Sequence, residues 1–250
     1  MEYTKQSYIK KGILFIGMHI ELNVKPKSPI VIEGFPGFGL VGTITTEFLI
    51  EHLNAKSIGK IWSDKLLPLV AIHDSKLIQP LEIYYAEKEN IVILHALSSV
   101  NGLEWKISEV LVELAKQLNV KEIISIEGVS ASSQQGLNTF YYSNKKSAAF
   151  EKIGMKPLKE GIVMGVTGAL MLKAEGIPLS CIFVETQSNL PDSRAAAKII
   201  EALDKYLGLD VDYKPLIKAA EKFEEKVKGI LESGKKAMSE KESKELNYLG

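Results

Sequence analysis

The sequence is poor in the residue types that announce specialised chemistry. Its one cysteine, Cys181, lies inside the apolar run Leu179–Val184, so no intrachain disulfide can form. That suits a reducing, cytoplasmic setting, with Cys181 as a small buried hydrophobe. An excess of one charge sign is missing as well: Lys plus Arg and Asp plus Glu each number 31, for a formal net charge of zero. A nucleic-acid binder carries a basic excess or a basic stripe, and neither is present, so nucleic acid is not an expected partner. The N-terminal apolar stretch Ile13–Ile20 falls far short of the roughly 20 residues of a spanning helix. It also lacks a small-residue cleavage site. Neither a membrane anchor nor a signal peptide is expected, and the β-branched content of the stretch reads as one strand. There is no Walker loop and no G-x-S-x-G elbow. His19, His52, His73 and His95 show no zinc-like spacing. No metal, cofactor or nucleotide hydrolysis is therefore expected.

What the chain does have is ordinary globular composition over 250 residues, 46% hydrophobic and 25% charged, enough for one sizeable core. The pattern predicts an α/β domain over residues 1–212 and a C-terminal helix with a flexible tail over 213–250. Strands are expected at Pro29–Glu33, Ser57–Trp62, Leu69–His73, Leu81–Ala86, Ile91–Ala96, Glu122–Glu127 and Ser180–Glu185. Apolar residues at helical spacing predict helices over Leu40–Leu53, Leu103–Leu118, Thr167–Ala174 and Pro191–Leu207, with Pro191 in the first turn of the last one. Short gaps in the first half suggest hairpins. Strand–helix alternation in the second half implies parallel pairing, because a parallel crossover needs a dozen or more residues. The expected fold is an α/β sandwich with a mixed sheet.

Two patterns stand out in the core domain. The first is the turn Glu33–Gly42, whose Gly37, Gly39 and Gly42 match G-x-G-x-x-G between a strand and a helix. A dinucleotide fingerprint has that context. Three extra residues, Gly34, Phe35 and Pro36, and the hairpin-like strands that follow argue instead for a packing role, with the glycines letting the helix approach the sheet. The second is a repeated strand ending: Ile30–Glu33, Ile124–Glu127 and Ile182–Glu185 each close on glutamate. If these strands are parallel, Glu33, Glu127 and Glu185 form a carboxylate rim where α/β sheets bind ligands. They would then serve as general bases or metal ligands. Otherwise each accepts N–H bonds from its own loop.

The C-terminal segment is different. Leu216, Ala220, Phe223, Val227 and Ile230 follow a 4,3,4,3 spacing on an otherwise charged helix, a short heptad-like seam. It can pack on the parent domain or on a second copy of the chain.

The turn Gly34–Gly42, taken with Gly165-Val-Thr-Gly168, Ile182-Phe-Val-Glu185-Thr186 and Pro191-Asp192-Ser-Arg194 further on, resembles the archaeal proteasome-assembly-chaperone-like family, homologues of the eukaryotic proteasome assembly chaperone 2. The resemblance covers Ile30 to Leu207. It implies a three-layer α/β sandwich similar to nucleoside phosphorylases but without catalytic machinery. It also implies homo-oligomers and a role in assembling or engaging the proteasome α-ring. Members of the group often carry a C-terminal hydrophobic-Tyr-any tail that docks between α subunits. Here the chain ends Leu246, Asn247, Tyr248, Leu249, Gly250, with tyrosine third from the end where the motif has it second. Two readings follow. In one the protein is a non-enzymatic chaperone or adaptor with partner-binding residues Leu246, Tyr248, Leu249 and Gly250. In the other it is a small-molecule enzyme, acting on a nucleoside or nucleotide through the carboxylate rim.

Overall fold

Hydrophobic runs bounded by glycine, asparagine and proline become a ten-stranded mixed sheet with helices on its faces. This computed structural model describes residues 13–15, 17–73, 75–130, 137–145, 148–186 and 190–218. In chain order the strands are β1 (Ile13–Phe15), β2 (Met18–Leu22), β3 (Ile30–Gly34), β4 (Lys56–Trp62), β5 (Ala71–His73), β6 (Lys76–Ile78), β7 (Leu81–Ala86), β8 (Ile91–Ala96), β9 (Glu122–Ser130), β10 (Thr139–Ser143), β11 (Lys156–Pro157) and β12 (Leu179–Thr186). The helices are α1 (Val41–His52), α2 (Glu104–Leu118), α3 (Ala149–Lys152), α4 (Gly165–Lys173) and α5 (Ser193–Leu207). The large sheet runs β1-β2-β4-β7-β8-β3-β9-β12-β10-β11, and β5 and β6 form a separate hairpin.

The centre of the sheet, β8-β3-β9-β12, is parallel throughout. On one side β1, β2, β4, β7 and β8 pair antiparallel. On the other, β10 pairs antiparallel with β12 and parallel with β11. Side chains alternate across a strand, and the four central strands feed two cores. Val31, Leu94, Ile123, Cys181 and Phe183 point to the face covered by α2 and α4, where Ile107, Leu111 and Leu170 meet them. Ile32, Ile93, Ile124 and Ile182 point to the opposite face, against Val41 and Leu49 of α1 and Ile199 and Leu203 of α5. The centre is thus three layers thick. The outer strands β2 and β4 send Met18, Ile20, Ile58 and Ile61 into the first core only.

Several sequence expectations need correction. The stretch Ile13–Ile20 is not one strand: Gly17, at φ 83, turns the chain so that Phe15 pairs with Met18 in a hairpin. The strand expected from Leu69 begins at Ala71; β6, β11 and α3 carry no pattern that sets them apart from loops, while β10 forms on the strand-favouring run Thr139–Tyr142, which is not among the expected strands. Pro191 lies outside α5. Asp192 caps that helix by accepting the Ala195 N–H at 2.9 Å, and Gly208, at φ 68, closes it. After Tyr213 a helical turn over 214–218 places Leu216 against the second core. Ala220, Phe223, Val227 and Ile230 of the seam, and Leu246, Tyr248, Leu249 and Gly250 of the tail, lie outside the described residues. Among the described residues no helix is long and apolar enough to cross a membrane.

Candidate functional site

The carboxyl ends of the parallel strands are where an α/β sheet leaves backbone groups and side chains free to meet a ligand. Here that edge is built around the glycine turn. The first turn of α1 lies so close to the end of β3 that a Cβ on Gly34 would overlap the Gly42 carbonyl. Gly39 takes φ 64, and Leu40 follows it into the left-handed region at φ 49 before α1 starts. The turn is tied to the β12–α5 junction. The Asp192 N–H donates to the Gly39 carbonyl at 2.8 Å, and the Thr186 hydroxyl donates to Asp192 Oδ2 at 2.8 Å. A Cβ on Gly39 would sit 2.8 Å from the Thr186 hydroxyl oxygen. Asp192 therefore caps α5 and holds Thr186 with its side chain, and anchors the glycine turn with its backbone N–H.

Gly37 has a separate role. A Cβ there would overlap Oε1 of Glu127, so the chain's own carboxylate packs on the glycine. A dinucleotide turn keeps that approach open for pyrophosphate. Topology points the same way: the strand after α1 is β4, which pairs antiparallel with β2 and β7 rather than continuing a βαβ unit beside β3. The four glycines singled out in the sequence, Gly34, Gly37, Gly39 and Gly42, thus sit in one closed packing unit.

The strands bearing Glu33, Glu127 and Glu185 are parallel, but the three carboxylates are stepped rather than convergent. Glu33 is in register with Ser125 and Glu127 with Phe183, while Glu185 pairs with Val129. Each glutamate is thus two residues further along than the last, about 7 Å per step. Among the described residues, Glu33 and Glu127 bind no N–H group of their own loops. Glu185 accepts the Asn138 side-chain amide at 2.6 Å and the Asn138 backbone N–H at 3.3 Å. Glu127 accepts a hydrogen bond from the Thr167 hydroxyl at 3.2 Å, which also meets the Ser125 hydroxyl at 2.9 Å. Glu33 is fully buried, and neither of its oxygens has a hydrogen-bond partner. Burial, reinforced by the nearby Glu127 charge and only partly offset by Ser125, raises the Glu33 pKa to about 8. Burial raises Glu127 to about 7, against the lowering effect of Thr167. Among the described residues, no three His, Cys, Asp or Glu side chains gather as a metal ion would need.

A crevice of about 330 Å³ opens above Glu127. Phe35, Pro36, Gly37 and Phe38 of the glycine turn form one wall. Ser99–Asn101 and Glu104 form a second, and residues Ile162–Val166, leading into α4, form the third. Sequence reasoning found Glu127 and the glycines but missed the hydroxyls of Ser125, Thr167 and Thr186. Thr167 stands in the Gly165–Gly168 motif and Thr186 directly follows Glu185, so position in those motifs was the available signal. His95, at the end of β8, faces the second core and meets the Thr46 hydroxyl at 2.9 Å. Burial lowers its pKa to about 4, against the raising effect of Glu82.

The chain as a whole is similar to known proteins. An uncharacterised protein of Methanocaldococcus jannaschii is 32% identical over 230 residues, which span 89% of this chain and 94% of that relative. The crystal structure of Pyrococcus furiosus PbaA, described as an archaeal homolog of proteasome-assembly chaperone, superposes with a TM-score of 0.80 at 30% identity. That match covers 91% of this chain and 97% of PbaA. PbaB of the same organism, described as an archaeal proteasome activator, shares the fold with a TM-score of 0.73 at 23% identity, over 86% of this chain and 98% of PbaB. The model of the PAC2 family matches residues 31–231, and with the glycine turn, the Glu127–Thr167 contact and the Asp192 anchor all inside that span, the chain belongs to the PAC2 family.

Proposed function

We propose that this protein is a cytoplasmic, non-enzymatic proteasome-assembly chaperone or adaptor that works as a homo-oligomer and engages the proteasome α-ring. The observation that carries the proposal is the likeness to PbaA, at 30% identity over nearly the whole of both chains. The local geometry supports it. The glycine turn is filled by the chain's own Glu127, and the rim glutamates are stepped instead of being gathered on one reacting atom. Leu216 packs on the chain's own core; the rest of the seam, Ala220, Phe223, Val227 and Ile230, is the self-association element, and the tail carrying Leu246, Tyr248, Leu249 and Gly250 is the α-ring contact. A tyrosine near a chain end offers a large anchor with a polar tip. Several tails on one oligomer raise apparent affinity through effective concentration. With Tyr248 one place early, docking is expected to be weaker than with a tail that has tyrosine second from the end.

Adding the purified protein to separate α subunits tests the assembly role. The proposal predicts faster ring formation, and light scattering of the protein alone well above 27.6 kDa. A concentration-independent monomer that leaves ring formation unchanged contradicts it. One observation favours the enzymatic reading on a nucleoside or nucleotide: Glu127, held near neutrality in a crevice, has the proton affinity of a general base. Steady nucleoside or ATP cleavage that disappears in Glu127→Gln would establish that reading in place of the chaperone.

A further inference from the structure

Glu33 is the anomaly of this fold, because the same sheet shows how a buried carboxylate is normally satisfied. Glu122, on the neighbouring strand β9, accepts hydrogen bonds from Ser180 at 2.5 Å and Tyr206 at 2.8 Å and pairs with Lys145 at 2.9 Å. Glu33 has only the Ser125 hydroxyl acting on it. It is 0% exposed, with neither oxygen in a hydrogen bond of ordinary geometry, on the sheet face that also carries Glu127 and one step beneath it. A buried polar group without a partner costs free energy, and persists where it has work to do. One step above it stands Glu127, which lines a crevice.

Three features define what the crevice accepts. Glu127 and Glu104 line it, while no Lys, Arg or His does so among the described residues. The site is thus acidic without a compensating cation, which disfavours phosphates and carboxylates despite the glycine-rich wall. Its mouth is apolar and unusually open to water: Ile162 is 89% exposed and Met164 74%, with Phe38 opposite. Finally, Glu127 uses Oε2 to meet Thr167, while its Oε1 packs beside Gly37 in the crevice wall.

We infer that this crevice binds an alkylammonium group carried on an apolar stem, with the nitrogen on Glu127 and the stem against Phe38, Ile162 and Met164. Glu33 does not line the crevice but lies beneath Glu127, and a cation on Glu127 offsets the like charge that bears on Glu33 from above. A crevice of about 330 Å³ is at the small end of ligand pockets, in keeping with a short aliphatic amine and too tight for a dinucleotide. The chemistry is shared by free alkyl amines and by lysine side chains. The inference is independent of α-ring engagement.

The test is calorimetric titration of the full-length protein with n-hexylammonium, hexanol, hexanoate and Nα-acetyl-lysine amide. Hexylammonium is expected to bind about ten-fold more tightly than hexanol, the size of effect a charge-assisted hydrogen bond supplies, and hexanoate more weakly than either. Glu127→Gln, checked for folding by circular dichroism, removes the preference for the amine over the alcohol. Ile162→Ser combined with Met164→Ser, at exposed positions where folding is not at stake, weakens amine and alcohol alike. Tighter binding of the lysine amide assigns the site to a protein side chain, and tighter binding of hexylammonium assigns it to a free amine. Equal binding of hexylammonium and hexanol, no saturable amine binding, or a preference that survives in a folded Glu127→Gln protein would overturn the inference.

Discussion

The parallel centre and the antiparallel flank of this one sheet are built to different rules. Every residue of β8 and of β12 is buried, because helices cover both faces there. Strand β4 alternates irregularly, with Ile58 and Ile61 inside and Trp62 47% exposed, because only one of its faces meets a core. Parallel strands flanked by helices on both sides read as continuous apolar runs, and one-sided antiparallel strands do not. The candidate site lies at the ends of the doubly covered strands, where a polar side chain such as Glu33 is deprived of water.

Truncating one large side chain in each region, buried in the centre and half-exposed at the flank, should show the largest contrast. Phe183→Ala, in β12, is expected to cost about 3–5 kcal/mol, while Trp62→Ala, at the flank, should fall within about 0.5 kcal/mol of wild type. Urea denaturation of both measures the difference, and equal losses would break the distinction between the two regions.

The pH dependence of stability sharpens it. The folded-state pKa of Glu33 is raised from 4.5 to about 8, so the folded protein holds this proton more tightly than the unfolded chain. Its contribution is fully present below pH 4.5 and is lost as pH rises through about 8. The loss is expected to be on the order of a few kcal/mol. Glu33→Gln should flatten the decline between pH 5 and 8. His95 acts in the opposite sense. With its pKa lowered from 6.5 to about 4, it destabilises the fold as pH falls through that window, and this acid-side loss should persist in Glu33→Gln. An unchanged slope above pH 5 in the variant would place the shifted group elsewhere.

Smaller effects distinguish backbone from side-chain roles in the glycine turn. Gly34→Ala drives a methyl group into the Gly42 carbonyl and should cost about 1–3 kcal/mol, through strain where α1 meets β3. Asp192→Ala removes the α5 cap and is expected to cost about 1 kcal/mol. Because it also releases the Thr186 hydroxyl, hydrogen exchange at Gly39 and Leu40 should rise with it. Loss of the cap without faster exchange in the turn would separate the two roles.

How much of this could be read from residue order follows the same division. The runs Ile91–Ala96 and Ser180–Glu185 announced the central strands within a residue of their observed limits, and the helices over Val41–His52 and Glu104–Leu118 followed from their spacing. The hairpin at Gly17 did not, because Ile13–Ile20 is apolar on both sides of the glycine and periodicity has nothing to count. Strand β11 takes its form from pairing with β10, so local propensity carries little of it, whereas the run Thr139–Tyr142 of β10 favours a strand locally and was legible. In the site, three strands ending on glutamate were visible, but their relative depth was not. Depth is set by register, and a shift of two residues changes a rim into a staircase. The shared hydroxyl network of Ser125 and Thr167 depends on α4 crossing β9 and has no signature in either segment alone.

The most direct test of the functional account is binding of the full-length protein to proteasome α-rings, compared with a chain lacking Leu246–Gly250, followed by sedimentation velocity. The account predicts that the full-length protein sediments with the rings, and that the shortened one stays oligomeric but does not. Full-length protein that sediments apart from the rings, or a shortened protein that binds them equally well, would contradict it.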